Sequence, residues 1–135
     1  MRFTYQELLN NFVSSCNGVG RAVRHDEYEE EVCCYIPQDH PGCAMGCQPG
    51  FREACLASCT EIDDDGIHIR AVKEYFPELF KTIFGETDDQ DVNFMVELQN
   101  LHDESFNWSG NKIKLNRIKQ FCSKNRLSIP ESEYA

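Results

Sequence analysis

The chain has 135 residues, of which 41% are hydrophobic, nine of them phenylalanine, enough to bury one core but too few for two domains and a linker. Its formal charge is −10, from 23 acidic and 13 basic residues, so the bulk of the molecule repels phosphate and favours a basic partner surface. No apolar run reaches the ~20 residues a bilayer span needs or the seven or more of a secretory signal, so the expectation is a cytoplasmic chain without membrane contact, whose eight cysteines are thiols or metal ligands rather than disulfides.

Thr4 followed by Glu7 is a capping box, and Leu8, Leu9, Phe12, Val13 and Cys16 recur at helical spacing behind it. Asn17-Gly18 and Gly20 end that helix. After the acidic run from Asp26 to Glu31, Val32 to Ile36 is β-prone. Pro37 and Asp39-His40-Pro41-Gly42 read as a turn, and Cys43-Ala44-Met45 as the returning strand of a small hairpin. Gly46, Pro49 and Gly50 argue against one helix from 43 to 59, leaving a short helix over 51–59.

Asp63-Asp64-Asp65-Gly66 marks a loop, with Asp65 placed to cap a helix carrying Ile69, Val72, Tyr75 and Phe76. Pro77 interrupts, and Leu79, Phe80, Ile83 and Phe84 form a second stripe closed by Gly85. Thr87 or Asp88 caps the strongest helix, whose stripe is Phe94, Leu98, Leu101, Ser105 and Trp108, with Met95 and His102 beside it. Ser109-Gly110-Asn111 is a turn, and Leu115, Ile118, Phe121 and Cys122 share a face of the last helix. Arg126 to Ile129 reads as extended, and 131–135 as a loose tail. The expected fold is α+β: a mainly helical single domain over 1–130 with a small Cys-rich β-hairpin packed on the helices.

Six of the eight cysteines lie between 33 and 59, and four readings compete. Cys33, Cys34, His40, Cys43 and Cys47 offer thiolate and imidazole ligands for zinc around one turn, although the Cys-x-x-x-Cys spacing needs a helical turn to converge. A thiol enzyme would use Cys43 as nucleophile, His102 as base and Asp103 to orient it. Free cysteines can also simply fill space as small hydrophobes, as Cys16 and Cys122 do on helical apolar faces. Finally, Cys43-x-x-x-Cys47 and Cys55-x-x-x-Cys59 are similar to the twin motif of small chaperones of the mitochondrial intermembrane space, which would imply two disulfide-stapled helices. Seven intervening residues containing Pro49-Gly50 are short for that hairpin.

Cys33-Cys34-Tyr35, Gly42-Cys43-Ala44-Met45-Gly46-Cys47 and Leu98-Gln99-Asn100-Leu101-His102-Asp103, with Trp108 and a terminal helix downstream, resemble a scattered group of small proteins of tailed bacteriophages and bacteria. The resemblance runs from about residue 5 to 129 and implies no particular activity. In it, Gly42 and Gly46 read as the tight backbone of the hairpin, Cys43 and Ala44 as its close-packed side chains under Tyr35, and His102-Asp103 as a hydrogen-bonded lock between hairpin and helix.

Charge supplies the functional expectation. Residues 1–108 carry 21 acidic and seven basic side chains, and 109–135 carry six basic and two acidic. The acidic positions Asp26, Glu27, Glu29, Glu30, Glu31, Asp63, Asp64, Asp65, Glu86, Asp88 and Asp89 read either as solvated surface at helix starts or as one negative face for a basic host protein. Lys112, Lys114, Arg117, Lys119, Lys124 and Arg126 read as pairing with the chain's own acidic body. The expected function is a non-enzymatic, phage-related intracellular interaction protein without non-specific nucleic-acid binding. The alternative is a zinc-stabilised or thiol-dependent enzyme centred on Cys43 and His102.

Overall fold

The computed structural model describes residues 1–64 and 66–135. Helix α1 (Tyr5–Cys16) leads into a hairpin of β1 (Val23–His25) and β2 (Glu31–Cys33). An irregular segment, 34–50, follows, then α2 (Phe51–Ala57), α3 (Ile69–Tyr75), α4 (Pro77–Phe84) and α5 (Asp89–Asp103). A 3-10 turn, Ser105–Asn107, precedes a second hairpin of β3 (Trp108–Ser109) and β4 (Lys112–Ile113), and α6 (Leu115–Asn125) closes the order. The fold is thus mainly helical α+β with a small cysteine-bearing hairpin, as expected. No described helix is long and apolar enough to cross a membrane.

Helix α1 begins with both arms of its capping box formed, Glu7 N–H donating to Thr4 Oγ1 and Thr4 N–H to Glu7 Oε1, each at 3.0 Å. All five residues of its apolar stripe are buried. Asp88, rather than Thr87, caps α5 in the same way, its carboxylate accepting from Asp91 N–H at 2.8 Å. The expected cap at Asp65 lies outside the described residues, and the residue preceding α3 is His68, whose side chain makes no capping bond. Proline at the first position of α4 needs no partner for a missing N–H.

Three local expectations require correction. Strand β2 pairs with β1, in the register Val23↔Cys33, Arg24↔Val32 and His25↔Glu31, and not with 43–45. Asp26 decides this: its Oδ1 accepts from the N–H groups of Tyr28 (2.9 Å) and Glu30 (3.0 Å), folding the acidic run into the hairpin turn. The chain does return at Cys43, but by a single backbone bond from its N–H to Cys34 O at 2.9 Å, too little for a strand. Helix α5 stops at Asp103, before Ser105 and Trp108, because side chains claim its last carbonyls: Trp108 Nε1–H donates to His102 O at 2.9 Å and Asn107 Nδ2–H to Leu101 O at 3.1 Å. The tail is not loose. Ala135 exchanges backbone bonds with Ile113 O (2.9 Å) and Leu115 N–H (3.0 Å), and Asn17 Nδ2 donates to Ser132 Oγ at 2.6 Å.

Segment 34–50 lacks a backbone ladder yet holds Cys34, Tyr35, Cys43, Ala44, Met45 and Gln48 in the interior. Side chains satisfy its polar groups instead. Asp63 accepts the N–H groups of Tyr35 (2.6 Å) and Ile36 (2.9 Å), and Arg52 donates to the carbonyls of Pro37 (2.7 Å) and His40 (2.9 Å). Gln48 Nε2 bridges Leu8 O and Ala44 O at 3.0 and 2.8 Å. Gly46 lies directly against Tyr35, whose ring stacks on Phe51 with centroids 5.4 Å apart. The buried apolar side chains form one cluster, in which Phe12, Tyr35, Phe51, Phe80 and Phe84 are the largest that are fully buried.

Candidate functional site

The last turn of α5 carries three polar side chains on its inward side. Gln99 and His102 are buried and Asp103 is half-buried, a break in the otherwise apolar stripe of Met95, Leu98 and Leu101. At spacings of three and four residues these groups sit side by side on a helix. Gln99 is the hub. Its Oε1 accepts Met45 N–H at 3.2 Å, and its Nε2 donates to Cys33 Sγ at 3.2 Å and to Asp103 Oδ1 at 2.8 Å, tying helix, irregular segment and hairpin together.

His102 is fully buried between the edges of Phe12 and Trp108. Its Nε2 accepts Ala22 N–H at 2.9 Å, so that nitrogen holds a lone pair, and the proton is on Nδ1, facing Asp103 Oδ1 at 2.7 Å. The contact is therefore a hydrogen bond from a neutral ring. Through the backbone N–H of Ala22 the ring ties α5 to the residue preceding β1, and not to a hairpin of 32–36 with 43–45.

Beside this network opens a cleft of ≈ 230 Å³, walled by Glu31, Cys33, Tyr35, His68, Gln99 and Asp103. Tyr35 donates its hydroxyl to Ile67 O at 2.6 Å, fixing one wall. Arg21 clasps the rim, pairing with Glu31 at 2.6 Å and donating to Asp103 O at 2.8 Å, where it also caps the negative end of α5. The Arg21 hydrogen bond holds the Glu31 carboxyl below the usual range. The Cys33 thiol is pushed strongly upward, first by its hydrogen bond with Cys43, then by burial, and further by the nearby charges of Asp103 and Asp63. It stays a thiol at neutral pH. Among the described residues Asp103 Oδ2 has no hydrogen-bond partner, so the cleft offers carboxylate acceptors and no thiolate.

This geometry corrects the thiol-enzyme set. His102 and Asp103 are joined, but Cys43 is fully buried, outside the cleft lining, with its sulfur taking Gly46 N–H at 3.4 Å, and both nitrogens of His102 are already engaged. The zinc set is also not assembled: among the described residues no three of His, Cys, Asp or Glu converge to hold a metal. His40 spends its ring on backbone, with Nδ1 accepting Gly42 N–H of its own turn at 3.0 Å and Nε2 at 2.8 Å from Gly20 O beyond α1. The Cys34 thiol turns to Val32 O and that of Cys47 to Ala44 O. The Cys33 sulfur takes Gln99 Nε2–H at 3.2 Å.

The acidic positions divide. Asp26 builds the first hairpin turn, Glu27, Glu29 and Glu30 are exposed on it, and Glu31 stands on the cleft rim. Asp63 is turned inward onto segment 34–50 and is no surface acid, whereas Asp64 is exposed and Asp65 lies outside the described residues. Arg24 donates to Asp63 O at 2.8 Å, which draws these two stretches together. Glu86 pairs with Lys81 at 2.8 Å, and Asp88 and exposed Asp89 begin α5, about 20 Å from the cleft at 1.5 Å per residue. The single negative face expected from the sequence is therefore two joined stretches and one remote one. Gln99, absent from the expected site residues, was signalled only by being a polar residue one helical turn before Asp103 in an apolar stripe. No protein-family model, curated protein or solved structure matches the chain.

Proposed function

We propose that the protein is a recognition module that takes a basic side chain of a partner protein into the cleft between β2, residues 66–69 and the end of α5. The observation that carries this reading is Asp103: Gln99 and His102 hold one carboxylate oxygen in place while the other has no internal partner, beside Glu31 and beneath the acidic hairpin turn. A positioned carboxylate bonds an ammonium or guanidinium more strongly than a mobile one, because the ordering cost is met in folding. The surrounding charge steers a basic surface toward it and turns nucleic acid away. The resemblance to small phage and bacterial proteins supports a basic protein of the bacterial cytoplasm as the partner. Catalysis is disfavoured, since the thiol in the cleft is held protonated and His102 has no free nitrogen.

Titration calorimetry with short arginine- and lysine-rich peptides tests the reading. Binding is expected to weaken with salt and to fall at least tenfold in Asp103→Asn and in Glu31→Gln, the same loss appearing in Asp103→Asn at both low and moderate salt. Affinity untouched by either substitution would sink it.

A further inference from the structure

A separate cavity of ≈ 270 Å³ opens between α5, the 3-10 turn and α6, and shares no lining residue with the cleft. Leu101, Phe106 and Phe121 give it apolar walls, and Phe106 leaves about half of its surface in water. Four charged side chains also line it. Glu97 and Lys124 neutralise each other at 2.9 Å. The side chains of Arg117 and Glu104 make no ion pair among the described residues, with each other or with any other group. The Arg117 guanidinium is nevertheless held in place: its central carbon lies 4.9 Å from the centroid of the Phe106 ring, and its Nε is buried without an acceptor. A buried donor left without an acceptor is destabilising, so this one is set for an anion that the chain does not itself supply. Glu104 caps the 3-10 turn that carries Phe106, so both unmatched charges border the same aromatic wall.

We propose that this cavity binds a free apolar or aromatic α-amino acid as its zwitterion. Arg117 takes the α-carboxylate with its planar fork, Glu104 takes the α-ammonium, and Leu101, Phe106 and Phe121 take the side chain. Charge selects this class. A dianion such as phosphate would meet Glu104 on a chain of net charge −10, and a simple cation would meet Arg117. A ligand carrying both signs on one carbon, with an apolar body, matches every wall. The volume lies just below the about 300 Å³ at which drug-sized ligand clefts begin, which sets the occupant at the size of a single amino acid. The site does not require that the cleft bind a basic side chain.

The test is titration calorimetry of the full chain with L-leucine and L-phenylalanine, beside two derivatives of the latter, its carboxamide and its N-acetyl form, each lacking one of the two charges. Saturable binding of one equivalent of free amino acid is expected, weakened at least tenfold in either derivative. Glu104→Gln should restore parity between phenylalanine and its N-acetyl form, and Arg117→Gln between phenylalanine and its carboxamide, both at reduced affinity. Glu104 is exposed, so its variant carries the test should Arg117→Gln disturb folding, which circular dichroism reads. Exposed Glu74→Gln, on α3, serves as the control that keeps full affinity. No saturable binding of either amino acid, or affinity unchanged in Glu104→Gln, would overturn the assignment. Equal binding of N-acetyl-phenylalanine by the parent chain would also overturn it, since the site would then take a peptide C-terminus or any apolar acid. Titration with basic peptides is a separate readout on other residues, so either proposal can fail without the other.

Discussion

At the scale of single residues, space and hydrogen bonding decide more than charge. A β-carbon at Gly46 would sit 2.6 Å from both Cα and C of Tyr35, inside backbone that cannot swing away. Gly46→Ala is therefore expected to cost more than about 3 kcal/mol, or to prevent folding, as overpacking against a fixed neighbour does; a urea midpoint within error of the parent's would refute the close contact. The sequence showed that glycine was needed here but misnamed the reason, since a hairpin backbone was expected and the actual demand is the carbonyl of Tyr35. His102 and Asp103 were legible as a pair because they are adjacent and polar on an apolar stripe. That the ring's second nitrogen would be taken by Ala22 N–H, 80 positions earlier, has no local signature.

At the scale of elements, the capped helices were the legible part and the irregular chain was not. Asp88 closes both arms of a capping box, so Asp88→Ala should lower stability by about 1 kcal/mol and raise amide exchange in the first turn of α5, leaving the cleft at the other end unaltered. A loss of peptide binding in that variant would contradict the separation of the two ends. Caps and 3.6-residue stripes are local, so α1, α4 and α5 could be read from their own residues. The partner of β2 could not, because alternation predicts a strand and says nothing of its neighbour; the deciding atom was the Asp26 carboxylate, hidden among other acids. Segment 34–50 was opaque for a related reason. Its order comes from Asp63, Arg52 and Gln48, each reaching from elsewhere or along the chain to carbonyls and amides that no periodic pattern marks.

For the molecule as a whole, the thiols link stability to pH. Hydrogen bonding to Cys43 and to Cys47 pushes Cys33 and Cys16 up, and burial raises Cys34, Cys122 and, to about 11, Cys55. In the unfolded chain these thiols ionise near about 8.5. The folded state keeps protons that the unfolded state has released, so the stabilisation is complete below that value and is lost as pH rises through the interval up to the folded values. Under reducing conditions the urea midpoint should thus fall steadily from pH 8.5 toward 11, and fall less in Cys33→Ala. A midpoint that holds constant from pH 7 to 10 would show that burial does not hold these protons.

The cleft's walls come from residues 31–35, 66–69 and 99–103, brought together by Gln99 and Tyr35. What the molecule presents there is a discontinuous epitope. No linear fragment, however long its acidic run, contains it, so arrays of overlapping peptides should stay silent where the intact chain binds, and capture of a ligand becomes a direct gauge of the native population in a cell extract.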